Sequence, residues 1–524
     1  MSKKNQSSTR AAPEKPSHPA KVTIHKLPTG VTGLDEILGG GLPELSFNII
    51  AGAPGCGKTT LAHQILFANA TPEKPALYFT VLGEPALKML RYQQQYTFFD
   101  PKKLNKAIRF INLSDVVLEK DLGGVLAEII REVEASSPSL VVVDSFRTVV
   151  RKALQGGGSE MELQGFIQRL ALFLTSWQAT TFLIGEYSEA ELRDNPVFTV
   201  ADGLFWLTQT AERNSVVRKL QIMKLRGQGS VPGLHTIRID QNGVQAFSRT
   251  LGLVGKTAKR LTRHRLSTGI PALDEMMGGG IFEGDSVLVS GPSGTGKSAI
   301  ATHFLAEGLR RGEAGIAAIF EERPQGYVAR ASSFGLDLET PEKEGKLELL
   351  YLRPLDLSVD ETMQEILDAV KRLKAKRLVI DSLVGFEMAL APGFRVDFRE
   401  SLYRMIAALT GAGVTILTTV EIEDSFTSFA FSHYTISFLT DDIVRLRYVE
   451  IDHQLRKVIV VVKMRGGNHS KDIREYVINN EGVVVIAPPK TAYKRLTTGL
   501  PDQIGLSPGE AAPEPKVTAA ERAR

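Results

Sequence analysis

Cysteine is almost absent: Cys56 is the one thiol in 524 residues. That excludes an intrachain disulfide and a cysteine-based metal cluster, and fits a reducing cytoplasm. Long apolar runs are missing too. No stretch approaches the ~20 apolar residues needed to span a bilayer, and residues 1–20 are polar, with Lys and Ser but no apolar centre of a secretion signal. Neither membrane insertion nor export is expected. Excess charge of one sign is small, since 63 Lys and Arg against 59 Asp and Glu leave a net +4. Such a balance gives little support for a dedicated nucleic-acid surface, so DNA is not an expected partner. At 43% hydrophobic and 23% charged over this length, the chain can bury two good-sized cores.

The chain contains a long internal repeat. Gly52-Ala53-Pro54-Gly55-Cys56-Gly57-Lys58-Thr59 and Gly291-Pro292-Ser293-Gly294-Thr295-Gly296-Lys297-Ser298 are two P-loops, 239 residues apart (291 − 52). Upstream, Thr29-Gly30-Val31-Thr32-Gly33-Leu34-Asp35-Glu36 returns as Thr268-Gly269-Ile270-Pro271-Ala272-Leu273-Asp274-Glu275 at the same offset. Downstream, Lys224-Leu225-Arg226-Gly227 returns as Lys463-Met464-Arg465-Gly466, again 239 residues later (463 − 224). Whole domains are therefore duplicated.

Residues 1–21 and 488–524 are polar or proline-rich and are expected to be disordered. Between them lie a first domain at 22–249, a short Gly/Lys/Arg-containing linker at 250–261 and a second domain at 262–487. In each copy an apolar run leads into the P-loop (47–51; 286–290) and a helical pattern follows it (60–70; 299–310). Further apolar runs at 76–81, 140–143 and 181–184, then 316–320, 377–380 and 415–419, alternate with amphipathic segments. The expected fold class is α/β, each domain a mainly parallel sheet flanked by helices.

P-loop chemistry assigns the site residues. Backbone N–H groups and a helix N-terminus surround phosphates, and glycines are needed where the chain passes too close for a Cβ. The expected nucleotide ligands are Gly52, Pro54, Gly55, Cys56, Gly57, Lys58, Thr59 and Thr60, then Gly291, Ser293, Gly294, Thr295, Gly296, Lys297 and Ser298. Lys58 and Lys297 should reach the β/γ-phosphates, and the hydroxyls of Thr59 and Ser298 should ligate Mg²⁺. Asp144 and Asp381 each follow an apolar run, where a Walker-B carboxylate holds the metal directly or through water. Glu321-Glu322 follow the run 316–320, where paired carboxylates could raise one another's pKa and provide a base, with Glu322 a further metal ligand. In the first copy the P-loop offset is 239 but the Asp offset is 237 (381 − 144). An intermediate 238 aligns Glu84 with Glu322 and makes Glu84 the candidate base. Lys224 and Arg226, with Lys463 and Arg465, flank Leu225 and Met464 after apolar strands. Two bases separated by one residue point to the same side of a strand. They either stabilise γ-phosphate charge, in the same or a neighbouring subunit, or form a surface ion-pair strand.

Together with Tyr448-Val449-Glu450-Ile451 and Ile473-Arg474-Glu475, these motifs resemble the KaiC family of circadian-clock ATPases over nearly the whole chain apart from the tails. The resemblance implies two tandem RecA-like P-loop NTPase domains, a double-ring homohexamer with ATP at subunit interfaces, and a lysine-arginine strand acting on the neighbour's nucleotide. It also implies slow hydrolysis in the first ring, serine/threonine autokinase and phosphatase activity in the second, and a KaiB-like protein partner. Ser437 matches the family's first phosphoacceptor, while Phe438 replaces the second; the alternative for Ser437 is an ordinary strand serine. Leu82-Gly83-Glu84-Pro85 stands where the family shows a double glutamate. The Pro/Ala-rich C-terminal stretch does not align with the family's activator-binding segment, so a KaiA-like activator is not implied. A clock, timer or signalling ATPase follows as the expected function, against two alternatives: a DNA-dependent RecA-like motor, and a scaffold in which ATP is interface glue.

Overall fold

The computed structural model describes residues 24–81, 86–155, 160–192, 195, 197–212, 215–249, 264–352, 358–390, 392–395, 398–422, 439–451, 454–480, 482–485, 493–494 and 502–503. The chain divides into two compact units, and two nine-stranded sheets dominate it.

The first sheet comprises β1 (Phe47–Gly52), β2 (Ala76–Thr80), β3 (Ile108–Asn112), β4 (Leu140–Asp144), β5 (Thr180–Glu186), β6 (Gly203–Glu212), β7 (Ser215–Leu225), β8 (Leu234–Asp240) and β9 (Gly243–Phe247), in the order 3-2-4-5-1-6-7-8-9. The second comprises β10 (Ser286–Gly291), β11 (Gly315–Ile319), β12 (Leu347–Tyr351), β13 (Arg377–Asp381), β14 (Thr415–Glu421), β15 (Asp442–Ile451), β16 (Gln454–Lys463), β17 (Arg474–Asn479) and β18 (Gly482–Val485), in the order 12-11-13-14-10-15-16-17-18. Subtracting nine from each label makes the two orders identical. The β1–β5 and β10–β14 pairings are parallel, as are those that follow toward β3 and β12. β15 through β18 continue as an antiparallel extension.

Alternation along each central strand supplies both faces. In the second sheet Val287, Val289, Ala317, Ile319, Val379 and Leu417 pack with Ile300 and Phe304 of the helix after the P-loop. Leu288, Ile316, Ala318, Leu378, Ile380 and Ile416 pack on the other face with the helices Val359–Leu373 and Phe398–Gly411. A parallel strand covered on both faces must be apolar throughout, which is why these runs show no polar alternation. The sheets and the helices beside them are the RecA-like arrangement expected. Ahead of each sheet, the Asp of the Leu-Asp-Glu motif fastens a turn: Asp35 Oδ1 accepts from Thr29 N and Oγ1 at 2.9 and 2.7 Å, and Asp274 Oδ1 accepts from Thr268 N and Oγ1, both at 2.7 Å. That motif is a structural staple. In the stretch after 488 expected to lack structure, Tyr493–Lys494 pairs antiparallel with Asp502–Gln503. No helix among the described residues is long and apolar enough to cross a membrane.

Candidate functional site

The P-loops leave the C-terminal ends of β1 and β10 and run into α1 (Lys58–Asn69) and α2 (Lys297–Arg310). Several helices begin with a side-chain cap. Asp121 caps Leu122–Ser136 through Gly124 N at 2.8 Å, and Ser358 caps Val359–Leu373 through Glu361 N at 3.1 Å. α1 and α2 differ, because each starts at a left-handed glycine, Gly57 (φ 102°) or Gly296 (φ 98°), with no side-chain cap and no acidic residue in the first turn. Those first N–H groups and the positive end of the helix dipole are left for an anion. A Cβ on Gly296 would fall 2.3 Å from Ile478 Cδ1, and one on Gly294 2.8 Å from the Tyr448 hydroxyl. Only glycine lets the loop close at these two positions.

Lys58 and Lys297 lie back along their loops, donating to Ala53 O and Pro292 O, each at 2.8 Å. Burial depresses the Lys297 pKa, opposed by the nearby charges of Glu421, Asp381 and Glu321; Glu421 Oε2 is 3.8 Å from Nζ. Cys56 is fully buried, its Sγ 3.8 Å from Lys58 Nζ. Burial pushes its thiol up, countered in part by that lysine.

The carboxylates expected as Walker-B residues, Asp144 and Asp381, end β4 and β13. Asp144 Oδ2 accepts from Thr59 Oγ1 at 2.8 Å and from the Tyr78 hydroxyl at 2.7 Å. Thr59 and Asp144 are thus brought together as a metal pair requires. Burial raises the Asp144 pKa, the Tyr78 and Thr59 hydroxyls and Lys58 oppose that rise, and Glu186 adds to it. Asp381 is held differently, with Thr419 Oγ1 donating to its Oδ1 at 2.6 Å and Arg330 Nη2 standing 3.8 Å from its Oδ2.

Two expectations need correction. Glu321 and Glu322 are adjacent in sequence, but their carboxylates engage different partners. Glu321 Oε1 accepts from Ser382 Oγ at 2.5 Å, while Glu322 Oε2 pairs with Arg330 Nη2 at 2.9 Å. Both lie in the bend beyond β11, which ends at Ile319, and each is engaged by a different distant partner. The bases of the Lys-x-Arg motifs do not share a strand either, because β7 stops at Leu225 and β16 at Lys463, leaving Arg226 and Arg465 beyond the ends. Lys224 Nζ donates to Thr199 O at 3.1 Å and Lys463 Nζ to Thr440 O at 2.6 Å. Arg226 pairs with Asp202 at 3.2 Å and Arg465 with Asp441 at 3.5 Å, both guanidinium side chains more than half exposed.

These bases lie at the sheet end opposite the P-loop. Arg226 N donates to Asp202 O at 2.9 Å, and Asp202 N to Phe47 O at 2.7 Å, at the start of β1. In the second copy Arg465 N donates to Asp441 O at 3.2 Å, and Asp441 N to Ser286 O at 2.9 Å, at the start of β10. The P-loops begin at the other ends of these six-residue strands, roughly 17 Å away at ~3.3 Å per residue.

Glu84 and Ser437 lie outside the described residues. Sequence reasoning missed Tyr78, Thr419, Arg330, Glu186 and Glu421. Tyr78 looks like any aromatic in an apolar strand, and Thr419 like a β-branched strand residue. Glu186 and Glu421 could have been found, since each follows an apolar run as Glu321 does, and they pair in register with Gly52 and Gly291.

The residues fit a nucleotide with its magnesium ion: two uncapped helix N-termini, each with a lysine that is buried in the first unit and half-buried in the second, and a hydroxyl–carboxylate pair at 2.8 Å in the first unit. No group of three or more His, Cys, Asp or Glu able to hold a metal occurs among the described residues.

The family model for the KaiC ATPase matches residues 27–250 and again 266–490. The circadian clock oscillator protein KaiC of Prochlorococcus marinus (strain MIT 9313) is 30% identical over 490 residues, covering 92% of this chain and 96% of that protein. The KaiC of Picosynechococcus sp. (strain ATCC 27264 / PCC 7002 / PR-6) is 30% identical over 492 residues, covering 92% and 93%. KaiC 1 of Synechocystis sp. (strain ATCC 27184 / PCC 6803 / Kazusa) is 30% identical over 494 residues, with the same coverage. With both P-loops built and the family model matched twice, this chain belongs to the KaiC family of ATPases.

Proposed function

We propose that the protein is an ATP-hydrolysing ring protein with serine autokinase activity in its second domain, working as a clock, timer or signalling ATPase through nucleotide- and phosphorylation-dependent binding of a KaiB-like partner. The observation that carries this reading is the position of Lys224/Arg226 and Lys463/Arg465, each at the sheet end opposite its own P-loop. A base pair so placed serves a nucleotide held by another copy of the chain, which makes a homohexamer with interfacial sites the natural assembly.

Lys58 and Lys297 bind the β/γ-phosphates, and the helix N-termini beneath them stabilise the same charge. Thr59 with Asp144, and Ser298 with Asp381 and Glu322, would hold Mg²⁺, which when bound would neutralise phosphate charge. The neighbour's lysine and arginine offset charge developing on the γ-phosphoryl group. Glu84 in the first domain orients water for attack. In the second domain the Ser437 hydroxyl attacks the γ-phosphorus, the bond to the ADP oxygen breaks, and Glu321 or Glu322 of the adjoining copy takes the hydroxyl proton.

The test is incubation of purified protein with Mg²⁺ and γ-labelled ATP, following released phosphate and protein-bound label, with Glu321→Gln/Glu322→Gln as comparison. Label at Ser437 that disappears in the double variant, while phosphate release from the first domain continues, is the expected result. Release without protein-bound label removes the autokinase. Nucleotide-dependent assembly with no release removes turnover and leaves ATP as interface glue.

A further inference from the structure

The two Walker-B aspartates answer the same problem of buried negative charge in different ways. Asp144 is held by two neutral hydroxyls, those of Thr59 and Tyr78. Asp381 instead stands beside a cation. Arg330, on the helix Pro324–Ser333, reaches Glu322 at 2.9 Å and Asp381 at 3.8 Å through one nitrogen, Nη2. Its guanidinium lies 5.0 Å from the centroid of the Tyr327 ring. Tyr327 is fully buried and shares a 3.3 Å hydrogen bond with Thr302 of α2, so the platform beneath Arg330 is fixed. The Arg330 Nε is buried without a hydrogen-bond partner among the described residues. A guanidinium with an unsatisfied donor is held less completely than one whose donors are all used, and its side chain is a third exposed.

We propose that Arg330 is an internal stand-in for the divalent cation of the second site. It neutralises Glu322 and Asp381 until Mg²⁺ and nucleotide arrive, and is displaced when they do. This rests on the reading of Asp381 and Glu322 as metal ligands given above. Arg330 and the metal ion seek the same two carboxylates and repel one another, so they compete. The second site should therefore require more Mg²⁺ than it would without Arg330, whereas the first site, whose aspartate is held by hydroxyls, carries no such competitor among the described residues. The competition makes the kinase-bearing half of the chain the more responsive to free Mg²⁺. Arg330 acts through Glu322 and Asp381, as a positioning residue.

The experiment uses the full chain carrying Lys58→Ala, so that only the second P-loop binds nucleotide. Mn²⁺ binding in the presence of a non-hydrolysable ATP analogue is followed by electron paramagnetic resonance. Arg330→Gln should bind Mn²⁺ at least about tenfold more tightly, since a unit charge within 4–6 Å shifts a neighbouring equilibrium by one to three decades. Arg330→Lys, which keeps the charge, should remain close to the parent. Arg330→Met keeps the aliphatic stem against Tyr327 and serves where the glutamine variant does not fold. Unchanged or weaker Mn²⁺ binding in the neutral variants overturns the proposal alone. No Mn²⁺ bound by the parent, or binding indifferent to Asp381→Asn, overturns the metal site itself and the proposal with it.

Discussion

Asp144 shows how much a single carboxylate depends on its neighbours. It ends a strand of four buried residues, and burial alone drives its carboxyl toward the neutral form, which cannot hold a metal ion. The Tyr78 hydroxyl is the strongest of the groups opposing that shift, followed by Thr59 and Lys58. Tyr78 is itself fully buried and packs on His63 with ring centroids 4.5 Å apart, so its ring is fixed and only its hydroxyl meets the site. Tyr78→Phe keeps the ring and removes the donor. In a chain whose second P-loop is disabled by Lys297→Ala, phosphate release by Tyr78→Phe should fall about 10- to 100-fold, the usual loss when a ligand's supporting hydrogen bond is removed. Most of the lost turnover should return at raised Mg²⁺, which a steady-state titration of the metal measures.

At the scale of the element, α1 and α2 are strapped to the last strand pair of their units by different chemistry. Gln64 Oε1 accepts from Val244 N at 2.7 Å, and its amide donates to Gly30 O at 3.1 Å. Its counterpart 239 residues on (303 − 64) is His303, whose Nε2 accepts from Val483 N at 3.0 Å. The turn glycines Gly243 and Gly482, both at φ 93°, let the strands approach; a Cβ there would lie 2.4 Å from Gln64 Oε1 and 1.9 Å from His303 Nε2. An amide does not titrate in this range, but an imidazole that must accept a hydrogen bond works only when neutral. Burial holds the His303 pKa below its ordinary 6.5. Its contribution to stability is therefore complete above about pH 6.5 and is lost as pH falls toward the lowered folded value. His303→Gln should reduce the loss of stability between pH 7 and pH 5, by no more than about 1.4 kcal/mol per pH unit. Urea unfolding followed at both pH values gives the comparison. A fully buried His63, pushed down to about 3 by burial with Gln93 partly opposing, adds an acid-sensitive term in the first unit that this variant should leave untouched.

For the whole molecule, the consequential fact is that P-loop and lysine-arginine motif occupy opposite ends of the same sheet, twice. A chain lacking Lys297 keeps its Lys463 and Arg465, and a chain lacking those two keeps its P-loop. Mixing Lys297→Ala protein with Lys463→Ala/Arg465→Ala protein, each inactive at the second site, should restore part of the second-site turnover in mixed rings. Both parents would carry Lys58→Ala to silence the first site. If each chain served its own nucleotide, mixing would restore nothing. Released phosphate and the size of the nucleotide-bound assembly, followed together, check this.

Much of this was legible in the residues because it rests on local or periodic signals. Glycine spacing marks a phosphate loop, apolar runs at strand length mark a parallel core, and a constant offset reveals the duplication, so the α/β class and the family followed from the sequence. Tertiary structure decided what depends on contacts between distant segments. Tyr78 reaches Asp144 across 66 positions (144 − 78) and Arg330 stands beside Asp381 across 51 (381 − 330), distances over which no local pattern operates. Glu321 and Glu322, adjacent and alike in sequence, were distinguished by tertiary contacts into a partner for Ser382 and a partner for Arg330. The direction in which Lys463 and Arg465 face was likewise set by the antiparallel return of β16, which carries the motif away from the P-loop of its own unit.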